Sequence, residues 1–105
     1  MAGAEVLDTN LLIEGRRGLT TIFNVIEYPP ALKGSRILFP RKEDLMRALS
    51  ISVRLRAVGK PVPAVDMVIA AMRLNRDIGL VTKNRHFLAI KEVEPDLRLE
   101  LVEEG

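Results

Sequence analysis

The apolar and polar residues of this chain form short β-like runs separated by longer helical segments. Residues 5–7 predict a short strand, and residues 9–15 predict a helical turn or short helix that ends at Gly15. Residues 21–26 are β-branched and apolar, which is typical of a buried strand. Pro29 and Pro30 end this run because proline has no N–H to donate to a sheet ladder.

Two longer segments predict helices. Residues 43–58 alternate like a strand at Leu49, Ile51, Val53 and Leu55. The segment is too long for a typical strand, however, and it carries acids early, arginines late and Gly59 directly after it, which favours a helix. Pro63 opens a second helix that runs to about Arg76 and closes near Gly79.

Further strands are predicted at residues 80–82 and 97–102, and Phe39-Pro40 marks a boundary between elements. Strands that alternate with helices indicate a mainly parallel central sheet with helices on its faces. We therefore predict an α/β fold, a three-layer sandwich, in which residues 1–105 form one domain.

Composition fits this prediction and excludes several classes of protein. The chain of 105 residues is 48% hydrophobic and 29% charged, and it has no apolar stretch of the roughly 20 residues that span a bilayer. It shows no signal-peptide pattern and contains no cysteine, so we expect neither a disulfide framework nor a thiolate metal site. These features predict a cytoplasmic protein. The absence of glutamine and the scarcity of asparagine hint at a thermophilic source.

The net charge of +2 permits nucleic-acid binding without arguing for it. The basic residues are scattered, which is typical of a solvated surface, and only clustering around a site would make them phosphate contacts. They include Arg16, Arg17, Arg41, Lys42, Arg54, Arg56, Lys83 and Arg85.

Three lone acids lie at the edges of apolar segments. Asp8 and Glu27 each follow a predicted strand, and Asp66 lies in the first turn of a predicted helix. In a parallel sheet the ligand crevice lies beyond the carboxyl ends of the strands, so all three acids can face it. Each acid also has a plainer reading: Asp8 as a helix cap, Glu27 as a solvated acid, and Asp66 as an acid favoured by the helix dipole.

Grouped carboxylates repel one another, and a hard divalent cation relieves that repulsion. Mg²⁺ or Mn²⁺ is the natural choice, because cysteine is absent and the single histidine, His86, lies elsewhere in the sequence. We expect His86 to be a surface or packed residue rather than a ligand, and Phe87 to lie in the core. Thr9 and Asn10 are expected to support the site or shape a turn.

The chain resembles the PIN domain family, the metal-dependent nucleases that include the VapC toxins of VapBC toxin–antitoxin pairs. The resemblance rests on an ordered set of motifs over nearly the whole chain. They are residues 6–10 (VLDTN), Glu27, residues 59–66 (GKPVPAVD), residues 69–71 (IAA) and residues 79–87 (GLVTKNRHF). It implies catalytic and metal-binding roles for Asp8, Glu27 and Asp66, a homodimer, an RNA substrate and an antitoxin partner.

Two features depart from the family pattern. The family usually has a fourth acid two residues after the threonine of the last motif, where this chain has Asn84. An amide oxygen can bind a metal or orient a water, so Asn84 is predicted as a fourth ligand without charge, although it could equally shape a turn. The segment between Asp8 and Glu27 is also short, so this is a shortened member with trimmed helices beside the cleft.

Two functions from different classes remain open. The first is a Mg²⁺- or Mn²⁺-dependent endoribonuclease, in which the metal activates a water for attack on a phosphodiester. The second is a catalytically weak PIN-like module that binds RNA or a protein partner, which Asn84 and the short helices favour. Phosphate-binding glycine motifs and a nucleophile elbow are absent from the sequence, so nucleotide-cofactor and hydrolase-triad chemistry lack support.

Overall fold

A computed structural model describes residues 5–102 of the chain. A parallel sheet of five strands lies at its centre, in the order β3-β2-β1-β4-β5. The strands are β1 (Glu5–Leu7), β2 (Leu19–Thr21), β3 (Arg36–Leu38), β4 (Gly79–Thr82) and β5 (Leu99–Leu101). Consecutive parallel strands need crossover connections, and helices supply them here.

Helices cover both faces of the sheet. They are α1 (Thr9–Ile13), α2 (Ile22–Glu27), α3 (Lys42–Ala57), α4 (Ala64–Arg76) and α5 (His86–Val93), with a 3-10 turn at Pro29–Leu32. Val6 and Leu80 pack into one hydrophobic cluster with residues of α3, α4 and α5, whereas Leu7 and Val81 pack into a second with residues of α1 and α2. Neighbouring strand residues thus point to opposite faces, and the predicted three-layer α/β sandwich is confirmed.

The predicted strand at residues 21–26 is wrong. The strand is β2 (Leu19–Thr21), and the apolar residues that follow it form α2. A capping box starts this helix: the Thr21 hydroxyl accepts the backbone N–H of Asn24 at 3.3 Å, and the Asn24 side chain accepts the backbone N–H of Thr21 at 3.4 Å. This local pairing overrides the β propensity of the segment, and it places Glu27 at the end of a helix rather than after a strand.

The longer helices lie where the sequence predicts them. The short elements β3 and α5 were not predicted. α3 and α4 match the predicted segments to within a residue or two. β3 has only three residues, and α5 begins at His86, where the sequence suggested a strand-to-loop transition. Phe87 of α5 is fully buried, as expected. None of the helices described between residues 5 and 102 is both long and apolar enough to cross a bilayer.

The order of the strands reverses between β1 and β4. From β1 the chain builds outward to β2 and β3, whereas β4 returns to the other side of β1 and β5 extends beyond it. In open parallel sheets such a switch point leaves a crevice at the carboxyl ends of the two strands. Asp8 follows β1 and Lys83 follows β4. The topology therefore places the segments that begin at these two residues on either side of the crevice.

A buried carboxylate joins α3 to α4 away from this crevice. Asp44 is fully buried and accepts hydrogen bonds from the Arg41 backbone N–H at 2.7 Å, Asn75 Nδ2 at 2.9 Å and Arg76 Nη1 at 3.1 Å. Burial alone would raise the pKa of Asp44, but these hydrogen bonds and the Arg76 charge outweigh it and hold the pKa below its ordinary value. The ionised form of Asp44 therefore stabilises the fold.

Replacement of Asp44 by alanine should lower the free energy of unfolding by about 2–4 kcal/mol at neutral pH, because three donors lose their buried acceptor. A group whose pKa is lowered on folding stabilises the protein above its unfolded pKa, and this contribution fades as the pH falls. The difference between wild type and Asp44→Ala should therefore shrink below a pH of about 4.

Urea denaturation at several pH values measures this difference. Glu43→Gln is the matched control, since Glu43 is the neighbouring acid and is exposed, with a surface contact to Arg41. Its effect should stay within about 0.5 kcal/mol. A pH-independent difference for Asp44→Ala would contradict the assignment of a stabilising charge.

Candidate active site

Asp8 is a buried acid at the carboxyl end of β1, with only 6% of its surface exposed. It occupies the N-cap position of α1, yet its side chain makes no capping hydrogen bond. Instead Oδ1 accepts Asn24 Nδ2 at 2.8 Å, and Oδ2 accepts the Thr82 hydroxyl at 2.5 Å. The plain reading of Asp8 as a helix cap is therefore wrong, and its carboxylate is oriented by residues from α2 and β4.

Asn24 connects Asp8 to Glu27. Asn24 is fully buried, and its Nδ2 donates to the Thr9 hydroxyl at 2.9 Å as well as to Asp8. Thr9 in turn donates its hydroxyl proton to Glu27 Oε1 at 2.5 Å. The amide oxygen of Asn24 accepts the Thr21 hydroxyl at 2.6 Å, which fixes the side chain. Glu27 is exposed, so it lies at the solvent end of a hydrogen-bonded chain that begins at buried Asp8.

Asp66 lies in the first turn of α4, as the sequence predicts. Its Oδ2 contacts His86 Nδ1 at 3.0 Å and accepts Asn84 Nδ2 at 3.3 Å. His86 is exposed, which agrees with its prediction as a surface residue, but it also contacts a predicted site acid. The carboxylate is thus held between α4 and the start of α5.

Asn84 shapes the turn into α5 and also contacts Asp66. Its Oδ1 accepts the backbone N–H of His86 at 2.9 Å, which shapes the turn into α5, and its own N–H donates to the Thr82 hydroxyl at 2.9 Å. The hydrogen-bond network therefore assigns the amide nitrogen, not the oxygen, to Asp66. Asn84 enters the site as a donor to Asp66, and its predicted role as a metal ligand stays a prediction.

The two aspartates influence each other electrostatically. Burial raises the pKa of Asp66, the nearby Asp8 charge raises it further, and the hydrogen bonds from His86 and Asn84 partly offset both. Asp8 accepts hydrogen bonds from two neutral groups, the Asn24 amide and the Thr82 hydroxyl. Asp66 therefore experiences burial and repulsion from Asp8 that its hydrogen-bond donors offset only in part.

The oxygen donors of Asp8 and Asp66 suit a hard divalent cation. Mg²⁺ is typically held by one or two carboxylates, with water or substrate phosphate completing its coordination, and this donor set fits that pattern. Within residues 5–102, no three His, Asp or Glu side chains are grouped so that they could hold a metal ion. Glu27 thus shares the hydrogen-bonded network without forming a three-acid group with Asp8 and Asp66.

Sequence reasoning missed the residues that orient the acids. Asn24 is the one amide in the apolar run 20–27, and its spacing of three from Thr21 is the signal that could have revealed it. Thr82 ends β4 at the switch point, where its hydroxyl meets Asp8. His86 could not be placed without α5, because only the start of that helix brings its ring to Asp66.

The same fold occurs in solved structures of VapBC. A chain of VapBC-1 from nontypeable Haemophilus influenzae matches with a TM-score of 0.73 at 18% identity, covering 93% of this chain and 97% of that chain. DNA-bound VapBC from Salmonella typhimurium matches with a TM-score of 0.74 at 21% identity, covering 92% and 96%. VapBC2 from Rickettsia felis, bound to a promoter DNA fragment, matches with a TM-score of 0.72 at 17% identity. The match covers 95% of this chain and 99% of that chain.

Sequence comparison adds no closer relationship: no family model matches the chain, and no curated protein matches it. At identities of 17–21%, the likeness to the three structures is one of fold. The likeness extends over nearly the full length of each chain. The chain has the PIN-like α/β fold of the VapC structures.

Proposed function

We propose that this chain is a metal-dependent endoribonuclease of the PIN type and acts as the toxin of a VapBC pair. The observation that carries the proposal is the pair of aspartates, Asp8 and Asp66, at the switch point of a PIN-like sheet. Burial and the Asp8 charge disfavour the ionised form of Asp66, and a bound Mg²⁺ or Mn²⁺ would relieve this repulsion.

The residues around the aspartates have distinct tasks in this proposal. Asp8 and Asp66 hold the cation, which when bound would activate a water and stabilise charge on the phosphate. Asn24 and Thr82 keep the Asp8 carboxylate oriented, and Asn84 performs the same task for Asp66. Such orienting hydrogen bonds commonly affect metal affinity or activity by about 10- to 100-fold.

Glu27 is proposed as the third acid of the site. It is coupled to Asp8 through three hydrogen bonds, by way of Thr9 and Asn24, and it remains open to solvent. Its position at the end of α2 leaves it accessible to a substrate that enters the crevice from solution. A role in binding the metal or its water is consistent with this position.

Replacement of Asp8 by asparagine should abolish cleavage of single-stranded RNA, with a loss of at least about 100-fold. The change preserves the shape of the side chain but removes the charge that the cation needs. Cleavage by wild type should likewise require Mg²⁺ or Mn²⁺ and stop in EDTA, as measured with a fluorescent oligonucleotide.

Glu92→Gln is the control for this experiment, since Glu92 is an exposed acid that pairs with Lys60 on the surface of the molecule. It should cleave at the wild-type rate. Cleavage that persists in EDTA, or in Asp8→Asn, would rule out the proposed mechanism.

A second function has a specific observation in its favour. Residues 5–102 contain no three-acid group that could hold a metal, and Asn84 supplies an amide where the family usually has an acid. A catalytically weak module that binds RNA or a protein partner would have these features. Metal-dependent cleavage separates the two functions, since the weak module would bind RNA without cutting it.

Replacement of Asn84 by aspartate tests whether the missing charge limits metal binding. A carboxylate in place of the amide that donates to Asp66 would repel it, so Asn84→Asp should melt at a lower temperature than wild type in EDTA. Saturating Mn²⁺ should restore the melting temperature, and calorimetry should show binding tighter by on the order of tenfold.

Ser50→Asp provides the matched control, because Ser50 is exposed on α3, a helix that carries none of the predicted site residues. It adds the same charge and should leave Mn²⁺ affinity nearly unchanged. Equal Mn²⁺ affinities of wild type and Asn84→Asp, with equal melting temperatures in EDTA, would mean that residue 84 lies outside the metal site.

The proposed toxin role includes two protein partners, an antitoxin and a second copy of the chain. The outer side of α3 offers apolar surface for such contacts, because four large hydrophobic side chains are at least half exposed there. They are Leu45, Met46, Leu49 and Val53. Residues 45, 49 and 53 lie on one face of the helix. A small reading frame for an antitoxin beside the gene would support the toxin role.

A further inference from the structure

A cavity of about 310 Å³ lies at the opposite end of the sheet from Asp8. It is formed where α4 ends, where the chain enters β4, and where the chain enters β5. Three arginines, Arg47, Arg73 and Arg98, and two acids, Asp77 and Asp96, contribute charged groups to its lining. Because the amino ends of parallel strands lie together, this cavity is separate from the crevice at the carboxyl ends.

Arg73 is the unusual residue of this cavity. None of its surface is exposed, and Nη2 donates to the Ile78 carbonyl. Its Nε and Nη1 groups have no hydrogen-bond partner anywhere in the described part of the chain. A buried guanidinium with unpaired donors is costly, because the free energy of hydration is lost and nothing replaces it.

The neighbouring charges compensate Arg73 only in part. Arg47 binds Glu94 at 3.0 Å, and Arg98 lies 3.6 Å from Asp77, so these arginines already have acidic partners. Burial and the nearby Arg98 charge lower the pKa of Arg73 to about 9, although Glu5 and Asp8 partly offset them. Arg73 thus remains protonated at neutral pH and carries a buried positive charge beside the cavity.

We propose that this cavity binds a small oxyanion, a phosphate or carboxylate group, whose charge compensates Arg73. A guanidinium matches the oxygens of either group with charge-assisted hydrogen bonds. The volume of about 310 Å³ has room for such a group with part of a small molecule attached. Arg98, which is half exposed at the cavity, would make the entrance attractive to anions. The site is distinct from the proposed nuclease centre.

Arginine side-chain NMR of the full ¹⁵N-labelled chain tests the proposal. Inorganic phosphate and acetate are titrated separately in EDTA, with sodium chloride adjusted to keep the ionic strength constant. At least one anion should shift the Arg73 Nε–H resonance in a saturable way and raise the melting temperature. A response to phosphate alone indicates a phosphoryl ligand, and a response to acetate as well indicates a carboxylate ligand.

Two variants show whether binding occurs in the cavity. Arg98→Gln removes a charge at the cavity and should lower the affinity for the anion by roughly three- to tenfold. Arg85→Gln removes the same charge from an exposed residue before α5, at the other end of the sheet, and should leave the affinity unchanged. Neither variant removes Arg73, so both retain its buried contacts.

Two results would overturn the proposal. If neither anion shifts the Arg73 resonance saturably, the cavity holds water only. If Arg85→Gln weakens binding as much as Arg98→Gln, the anions respond to net charge and not to this cavity. Both results are independent of nuclease activity, since the experiment contains neither RNA nor a divalent metal.

Discussion

The structure of the site depends on one constraint, the burial of the Asp8 carboxylate at the point where the sheet reverses its strand order. A carboxylate with 6% exposure needs partners, and two elements supply them: α2 through Asn24 and β4 through Thr82. These hydrogen bonds fix how α2 and β4 meet β1. The same bonds link Asp8 outward to Glu27 on one side and Asp66 on the other, so the acids lie in one connected network.

Asp44, which is fully buried, and Asp66, which is largely buried, differ in a way that separates structural from functional acids. The pKa of Asp44 is lowered, because a backbone N–H, an amide and the Arg76 guanidinium more than offset its burial. The pKa of Asp66 is raised, because burial and the Asp8 charge outweigh the hydrogen bonds that it receives. Asp44 has its compensation within the fold. Asp66 lacks it, and an acid that stays undercompensated in a crevice is a candidate for ligand binding.

The sequence predicts the long helices and the position of the aspartates. It does not predict the helix after Thr21, because a local hydrogen-bond pattern decides its conformation. α3 and α4 are long, and their charge distribution, proline and glycine mark their ends. Asp8 and Asp66 could be found because each lies at an edge of an apolar element. The segment after Thr21 was misassigned, since a capping box with Asn24 decides its conformation against its β-branched composition. Glu27 therefore belongs to the network through a helix end rather than a strand end.

In the proposed function, Asp8 and Asp66 together bind a divalent cation. A crystal grown in Mn²⁺, with diffraction recorded near the manganese absorption edge, tests it most directly. We expect an anomalous peak at the carboxyl ends of β1 and β4, within about 2.0–2.3 Å of one oxygen from each aspartate. Manganese bound only elsewhere, or no peak at saturating Mn²⁺ with both carboxylates still hydrogen-bonded as described, would contradict it.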